Sequence, residues 1–150
     1  MRVVRESVIA ELPPLVAQRL WTDTARWPTF VDGFARVVEI DPEWPEPGSR
    51  VVWESGPSGR GRVTERIREL SAGERIVSHV FEDQLTGTQR VTFEPDADGS
   101  LVAVELEYEL QKGGPLRKLT DVLFIRRALS DMLARTLRRF STEAAEQARS

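Results

Sequence analysis

Few side chains in this sequence could do chemistry. His79 is the only histidine, and so the only side chain whose ordinary pKa lies near neutrality, which makes it the obvious acid/base candidate. Glu65 stands between Val63 and Ile67 in a stretch that alternates apolar with polar residues. A carboxyl group on that row is either desolvated, with its pKa raised, or paired with an arginine, with its pKa lowered. Tyr108 shares a row with Val102, Val104 and Leu106 and offers either a hydroxyl donor at a cavity wall or a core tyrosine bonded to backbone. Arg126 falls in the middle of the apolar arc of a helical pattern, where a charge needs a partner, a ligand or water. Two readings of it stand side by side. In one it pairs with a sheet glutamate or snorkels past the helix edge; in the other it faces a cavity and meets an anionic or carbonyl group of a bound molecule.

Other chemistries are excluded or unsupported. The chain has no cysteine, which removes disulfides, thiolate metal sites and cysteine nucleophiles, and one histidine cannot build a multi-histidine metal site. No phosphate-cradling glycine loop, Ser-His-Asp arrangement or nucleotide fingerprint is present, so no metal or cofactor is expected.

The element that must position these groups is the last third of the chain. From Gly113-Gly114-Pro115 to about Ala148, Leu119, Val122, Leu123, Leu129, Leu133, Leu137, Phe140 and Ala144 recur at steps of three and four, predicting one long amphipathic helix that starts near Pro115. About 30 residues reach roughly 45 Å, too long for a domain of this size to bury unless something lies along the whole length, and a curved sheet would suit. Arg117, Arg127, Arg135, Arg138 and Arg139 share the opposite arc.

Upstream, residues 2–11 carry the β-branched content of a strand, which Pro13-Pro14 stop; the buried face stays open, and the parity of Val4, Val8 and Ala10 would also turn Glu6 inward. Two short helices follow, LVAQRLW and ARWPTFVDG, with Thr22 or Asp23 capping the second and Gly33 ending it. From Phe34 the pattern is all strand: FARVVEID, SRVVWES, GRVTERIREL, RIVSHVFED, TQRVTFEP after a break near Thr86-Gly87, and SLVAVELEYEL. One face of these strands is apolar and one charged, as an antiparallel sheet covered on one side requires. Short connections favour a six-stranded meander, with the first strand joining the last to give seven. In RIVSHVFED the inward row is either Val77, His79 and Phe81 or Ile76 and Val80, so the sequence leaves His79 in the cavity or on the surface.

With 40% hydrophobic and 30% charged residues, 150 residues suit one globular domain. No apolar run approaches a transmembrane segment and the N-terminus lacks a signal peptide's hydrophobic block, so a cytoplasmic location is expected. The net charge of −3 divides into +4 over residues 115–150 and −7 over the rest. Because Asp121, Asp131 and Glu143 interrupt the arginines and no aromatics interleave them, the basic face reads as solvated, with no nucleic-acid partner.

The order strand, Pro-Pro break, two short helices, six antiparallel strands and long C-terminal helix resembles the helix-grip, START-like fold of the SRPBCC superfamily, in its polyketide cyclase/dehydrase and lipid-transport branch. VIAELPPLVAQRLWTDTARWPTFVDGFARVVEI at 8–40 and VTFEPDADGSLVAVELEYEL at 91–110 carry the likeness. The resemblance implies an α+β fold with a seven-stranded curved sheet gripping the helix, and a space between them entered beneath the two short helices. Members are similar in holding lipids, sterols, quinones, polyketides or plant hormones there; some only bind, and some cyclise or dehydrate what they bind. Aromatase/cyclase relatives use a cavity arginine and tyrosine, of which Arg126 and Tyr108 are a loose analogue.

The leading expectation is therefore a small hydrophobic ligand whose polar or anionic end meets Arg126, Glu65 or His79, with Trp53, Trp27, Phe30 and Phe34 as apolar surface near the mouth. A cyclase/dehydratase would need at least two of His79, Glu65, Tyr108 and Arg126 to converge. A protein or membrane interaction module would have a filled core and would use Arg127, Arg135 and Arg138 or Trp44. Trp44 is the aromatic expected to be exposed, marking a weak homodimer contact, a membrane contact or nothing.

Overall fold

Strict alternation of side chains decides how the strands lie. The computed structural model describes residues 2–57, 59–111 and 119–150, with side chains from residue 122 in the last segment. In its final strand Val102, Val104, Leu106 and Tyr108 are buried, while Ala103, Glu105 and Glu107 are half-exposed and Glu109 exposed. Seven strands, β1 (Arg2–Ala10), β2 (Phe34–Ile40), β3 (Arg50–Ser55), β4 (Arg62–Ser71), β5 (Arg75–Phe81), β6 (Leu85–Asp96) and β7 (Gly99–Leu110), form one antiparallel sheet in the order β1-β7-β6-β5-β4-β3-β2. Register carries the inward row across the sheet: Trp53 pairs with Val63, Ile67 with Ser78, Val91 with Val104, and Val104 with Glu6. The outer face holds cross-strand charges, including Arg90 opposite Glu105 and Arg5 bonded to Glu105 at 2.6 Å.

Gly87 is a correction. The expected break near Thr86-Gly87 lies inside β6, and the chain reverses at residues 82–84, where the Glu82 N–H donates to the Leu85 carbonyl at 3.0 Å. Gly87 is there because β7 passes close: a Cβ at this position would stand 2.5 Å from the Glu107 carbonyl oxygen.

Between β1 and β2 lie α1 (Pro14–Thr22), a 3-10 turn at Thr24–Arg26 and α2 (Trp27–Phe30). Pro14 fits the first turn of α1, and Asp23 caps the 3-10 turn by accepting the Ala25 N–H. Gln18 pins α1 to the sheet, donating to the Ser71 and Arg75 carbonyls and accepting the Gly73 N–H. Trp44 is half-buried, correcting the expectation of an exposed ring: its indole N–H donates to the Thr22 carbonyl at 2.9 Å and its ring stands edge-on to Trp27.

α3 (Leu119–Arg149) spans 31 residues. The expected start at Pro115, Arg117 and the preceding glycines lie outside the described residues. Leu129, Met132, Leu133, Leu137, Phe140 and Ala144 are buried against the sheet and the short helices, each of the large ones worth about 1.5–3 kcal/mol on burial. Phe140 meets Trp21 and Phe30 at ring-centroid distances of 5.2 and 5.1 Å, in edge-on geometry. The N-terminal part of α3 departs from the expected arc. Leu123 is exposed at 56% and Phe124 at 73%, and it is Ile125 that turns inward. No described helix is long and apolar enough to cross a membrane.

Candidate ligand cavity

β4 sets Glu65 on the inward row, opposite Val51 of β3 and Val80 of β5. The Trp53 indole N–H donates to its Oε2 at 2.8 Å. Desolvation is the largest influence on this carboxyl and raises its pKa, and the nearby Glu82 charge adds to the rise. The Trp53 bond and the Arg60 charge oppose it without reversing it. What accessible surface Glu65 retains opens onto an internal space that it lines with Trp53, Gln89, Leu133 and Thr136.

The turn between β3 and β4 brings the second group. Ser55 and Gly61 close it, Ser55 N–H to the Gly61 carbonyl at 2.9 Å and Gly61 N–H to Ser55 Oγ at 2.8 Å, and Gly61 takes φ +77°, a conformation that favours glycine. Arg60 is thereby pointed inward. Its Nε and Nη2 both reach Glu82 Oε2, at 2.7 and 2.5 Å, its guanidinium lies 5.4 Å from the Trp53 ring centroid, and Nη1 approaches Met132 Sδ at 3.9 Å. The Arg60 side chain is 18% exposed and that of Glu82 6%.

Two spaces meet at Arg60 and Met132, which line both. The outer, a vestibule of about 440 Å³, lies between α3 and the turns at residues 56–61 and 82–85, with Phe124, Ile125, Ala128, Leu129 and Met132 as its apolar side. The inner, about 40 Å³, is a small chamber beside Glu65, walled by Trp21, Trp27, Phe30 and Trp53. Beside the vestibule, just after α2, lies Asp32. There the Asp32 carboxylate is held by Arg135 at 3.1 and 3.0 Å and by Arg139 at 2.9 Å, while the Asp32 N–H donates to Thr136 Oγ1. Burial tends to raise the Asp32 pKa, but these arginine bonds and charges together bring it below the ordinary value.

Of the side chains singled out from sequence, Glu65, Trp53, Trp27 and Phe30 come together at the inner chamber. His79 does not. Ile76, Ser78 and Val80 are the inward residues of β5, and His79 stands on the outer face with Phe81, Thr88 and Glu107 around a shallow depression of about 280 Å³. Burial, with the Arg68 charge adding to it, lowers the His79 pKa. Tyr108 is 1% exposed within the core, and its hydroxyl has no hydrogen-bond partner among the described residues.

Of the two readings of Arg126, the structure agrees with the one that takes it past the helix edge and not with the one that points it into a cavity. It is exposed beside Val4, Arg5, Leu123 and Asp131, on the flank of α3 away from the vestibule. One turn later Ser130 donates to Glu6 of the edge strand β1 at 2.5 Å. At Arg126 the helix has reached the border of the sheet, and the long side chain leaves the apolar arc for water. The convergence of Arg126, Tyr108 and His79 with Glu65 is therefore not present.

Sequence reasoning missed Arg60 and Glu82. Both sit in or beside turns, where the parity used for strands says nothing about direction. An arginine framed by glycines at positions 59 and 61 was the available signal. Among the described residues no group of three or more metal-ligating side chains occurs.

A family model described as polyketide cyclase / dehydrase and lipid transport matches residues 1–145. No curated protein matches. Among solved structures, the chain is similar to the di-domain ARO/CYC StfQ from the steffimycin biosynthetic pathway (TM-score 0.78, 18% identity, 99% of this chain and 52% of that one). It is also similar to TTHA0849 from Thermus thermophilus (0.77, 18%, 97% and 99%) and to a Thalictrum norcoclaurine synthase in complex with a transition-state analogue (0.71, 12%, 98% and 96%). At these identities the likeness establishes the helix-grip fold alone.

Proposed function

The chain belongs to the polyketide cyclase / dehydrase and lipid transport family of the SRPBCC superfamily, and on that footing we propose that it encloses a small, mostly apolar molecule between the curved sheet and α3, with its polar end toward Arg60 and Glu65. The observation that carries the reading is the vestibule of about 440 Å³, apolar along α3 and bordered by the Arg60 to Glu82 ion pair, with Arg60 and Met132 shared with the small chamber that Glu65 lines. That volume lies within the roughly 300–1,000 Å³ common for small-molecule sites. Apolar burial supplies most of the affinity and the polar end sets orientation. It also weighs against an interaction module with a filled core. The test is native mass spectrometry of protein expressed in its own host, followed by a lipid and polyketide panel. Failure to retain any apolar molecule in either refutes the reading.

A second reading, cyclisation or dehydration of a poly-β-keto substrate, is favoured by one observation: Glu65 and the Arg60 cation line the same small chamber, where burial pushes the Glu65 pKa up, as a general acid at a carbonyl would need. It expects Glu65→Gln to abolish turnover while the substrate is still retained. Loss of retention with turnover, or unchanged turnover, removes it.

A further inference from the structure

We infer that the interior selects electrically neutral oxygenated ligands, such as phenols, alcohols or ketones on an apolar frame, over the matching carboxylates, because the guanidinium set between vestibule and chamber is already held by Glu82. The inference rests on the binding reading above and specifies which chemical class that site takes.

A carboxylate ligand is held best by a cation whose charge is not already balanced. Arg60 gives Nε and Nη2 to Glu82 Oε2, its Nη1 approaches the Met132 sulfur, and its charge is thereby neutralised within the site. An incoming carboxylate would either share this balanced cation, placing a second negative charge beside Glu82, or displace Glu82, whose side chain is 6% exposed, and leave that charge buried without its partner. Among the described residues the rest of the vestibule offers no unengaged cation: its charged lining is Asp32, Glu82 and Asp83 against Arg60 and Arg135, and Arg135 is bonded twice to Asp32.

Neutral oxygen is matched where the anion is not. Gln89 lines the inner chamber, and its amide both donates and accepts. Glu65 lines the same chamber with one oxygen taken by the Trp53 indole N–H, and burial there raises its pKa, which disfavours a second negative charge brought in beside it. The chamber of about 40 Å³ admits a hydroxyl or carbonyl tip and little more, leaving the hydrocarbon in the vestibule.

The experiment compares 2-naphthol with 2-naphthoate, the same ring system with a neutral or an anionic head. Dissociation constants are measured near neutral pH on the full chain by titration calorimetry and by quenching of tryptophan fluorescence. Wild-type protein is expected to bind naphthol at least about tenfold more tightly, a ratio equal to roughly 1.4 kcal/mol. In Glu82→Gln, which frees the Arg60 charge, the order is expected to reverse in favour of naphthoate. Equal or tighter binding of naphthoate by the wild type overturns the inference and leaves the binding reading standing, whereas binding of neither molecule overturns both. The wild-type comparison decides the matter if Glu82→Gln does not fold. If that variant folds, as shown by its thermal melt, and keeps the wild-type order, the inference also falls.

Discussion

Replacing Glu65 by Gln and by Leu separates its charge from its hydrogen bond. Gln keeps the shape and an acceptor for the Trp53 indole N–H, 2.8 Å away in the wild type, but cannot ionise. Leu keeps the bulk and leaves that buried N–H without a partner, a loss worth about 1–3 kcal/mol. The two variants also differ from the wild type in how stability responds to pH. Burial, the largest influence, raises the Glu65 pKa in the folded chain above the ordinary 4.5. Between 4.5 and the raised folded value the native state binds more protons than the unfolded state, so stability falls as pH rises through that window, by about 1.4 kcal/mol per pH unit while the difference is a full proton. The contribution is fully present below 4.5 and lost above the folded pKa. Urea denaturation at half-unit steps from about pH 4 to 8 reads it directly: the wild-type curve should decline relative to Glu65→Gln, and Glu65→Leu should run parallel to Gln but lower. Asp32 and His79 titrate in all three proteins and cancel in the difference. Parallel wild-type and Gln curves across the range would refute the claim that Glu65 is desolvated and retains its proton.

Asp32→Asn should cost about 1 kcal/mol, discounted because Arg135 and Arg139 are partly exposed, and the cost should shrink in high salt. Since the Asp32 pKa is lowered in the fold, that stabilisation is present above 3.8 and lost as pH falls through the folded value, so acid melts of wild type and variant should converge. Arg60→Met should destabilise by at most about 3 kcal/mol by leaving Glu82 unpaired, while the double variant Arg60→Met with Glu82→Met should cost less than the single one; a chemical-denaturation cycle measures both. Gly87→Ala should lose about 2 kcal/mol or more, seen as a lowered melting temperature, because its Cβ meets the Glu107 carbonyl. The His79 ring should titrate below 6.5 by NMR, since burial and then the Arg68 charge disfavour the imidazolium, and its shifts should not respond to a molecule bound inside.

Strand parity carried most of the architecture. The row from Val102 to Tyr108 and the inward placing of Val63, Glu65 and Ile67 follow from residue types at fixed periods, whereas Asp23, one of two expected caps for the second helix, caps the 3-10 turn before it. What periodicity could not supply was the path of one element over another. Arg126 lies within the apolar arc on a helical wheel, yet whether that arc meets a sheet or passes its border depends on the crossing of α3 over β1, which no local pattern encodes. Gly87 shows the same gap from the other side: a glycine required by a neighbouring backbone is indistinguishable in sequence from one that makes a turn. For Arg60 the obstacle was the turn itself, whose residues have no alternating faces to read.

The Asp32 clasp ties the segment after α2 to the long helix along one side of the vestibule. With a carboxylate gripped by two arginines of α3 and its own N–H bonded to Thr136, the segment after α2 travels with the long helix as one piece. A guest wider than the gap must therefore push aside the opposite bank, the hairpin tips at residues 56–61 and 82–85, and those tips are themselves cross-linked by the Arg60 to Glu82 bond. The same contact that sets the charge of the interior thus latches its doorway, and loosening it should quicken the traffic in both directions.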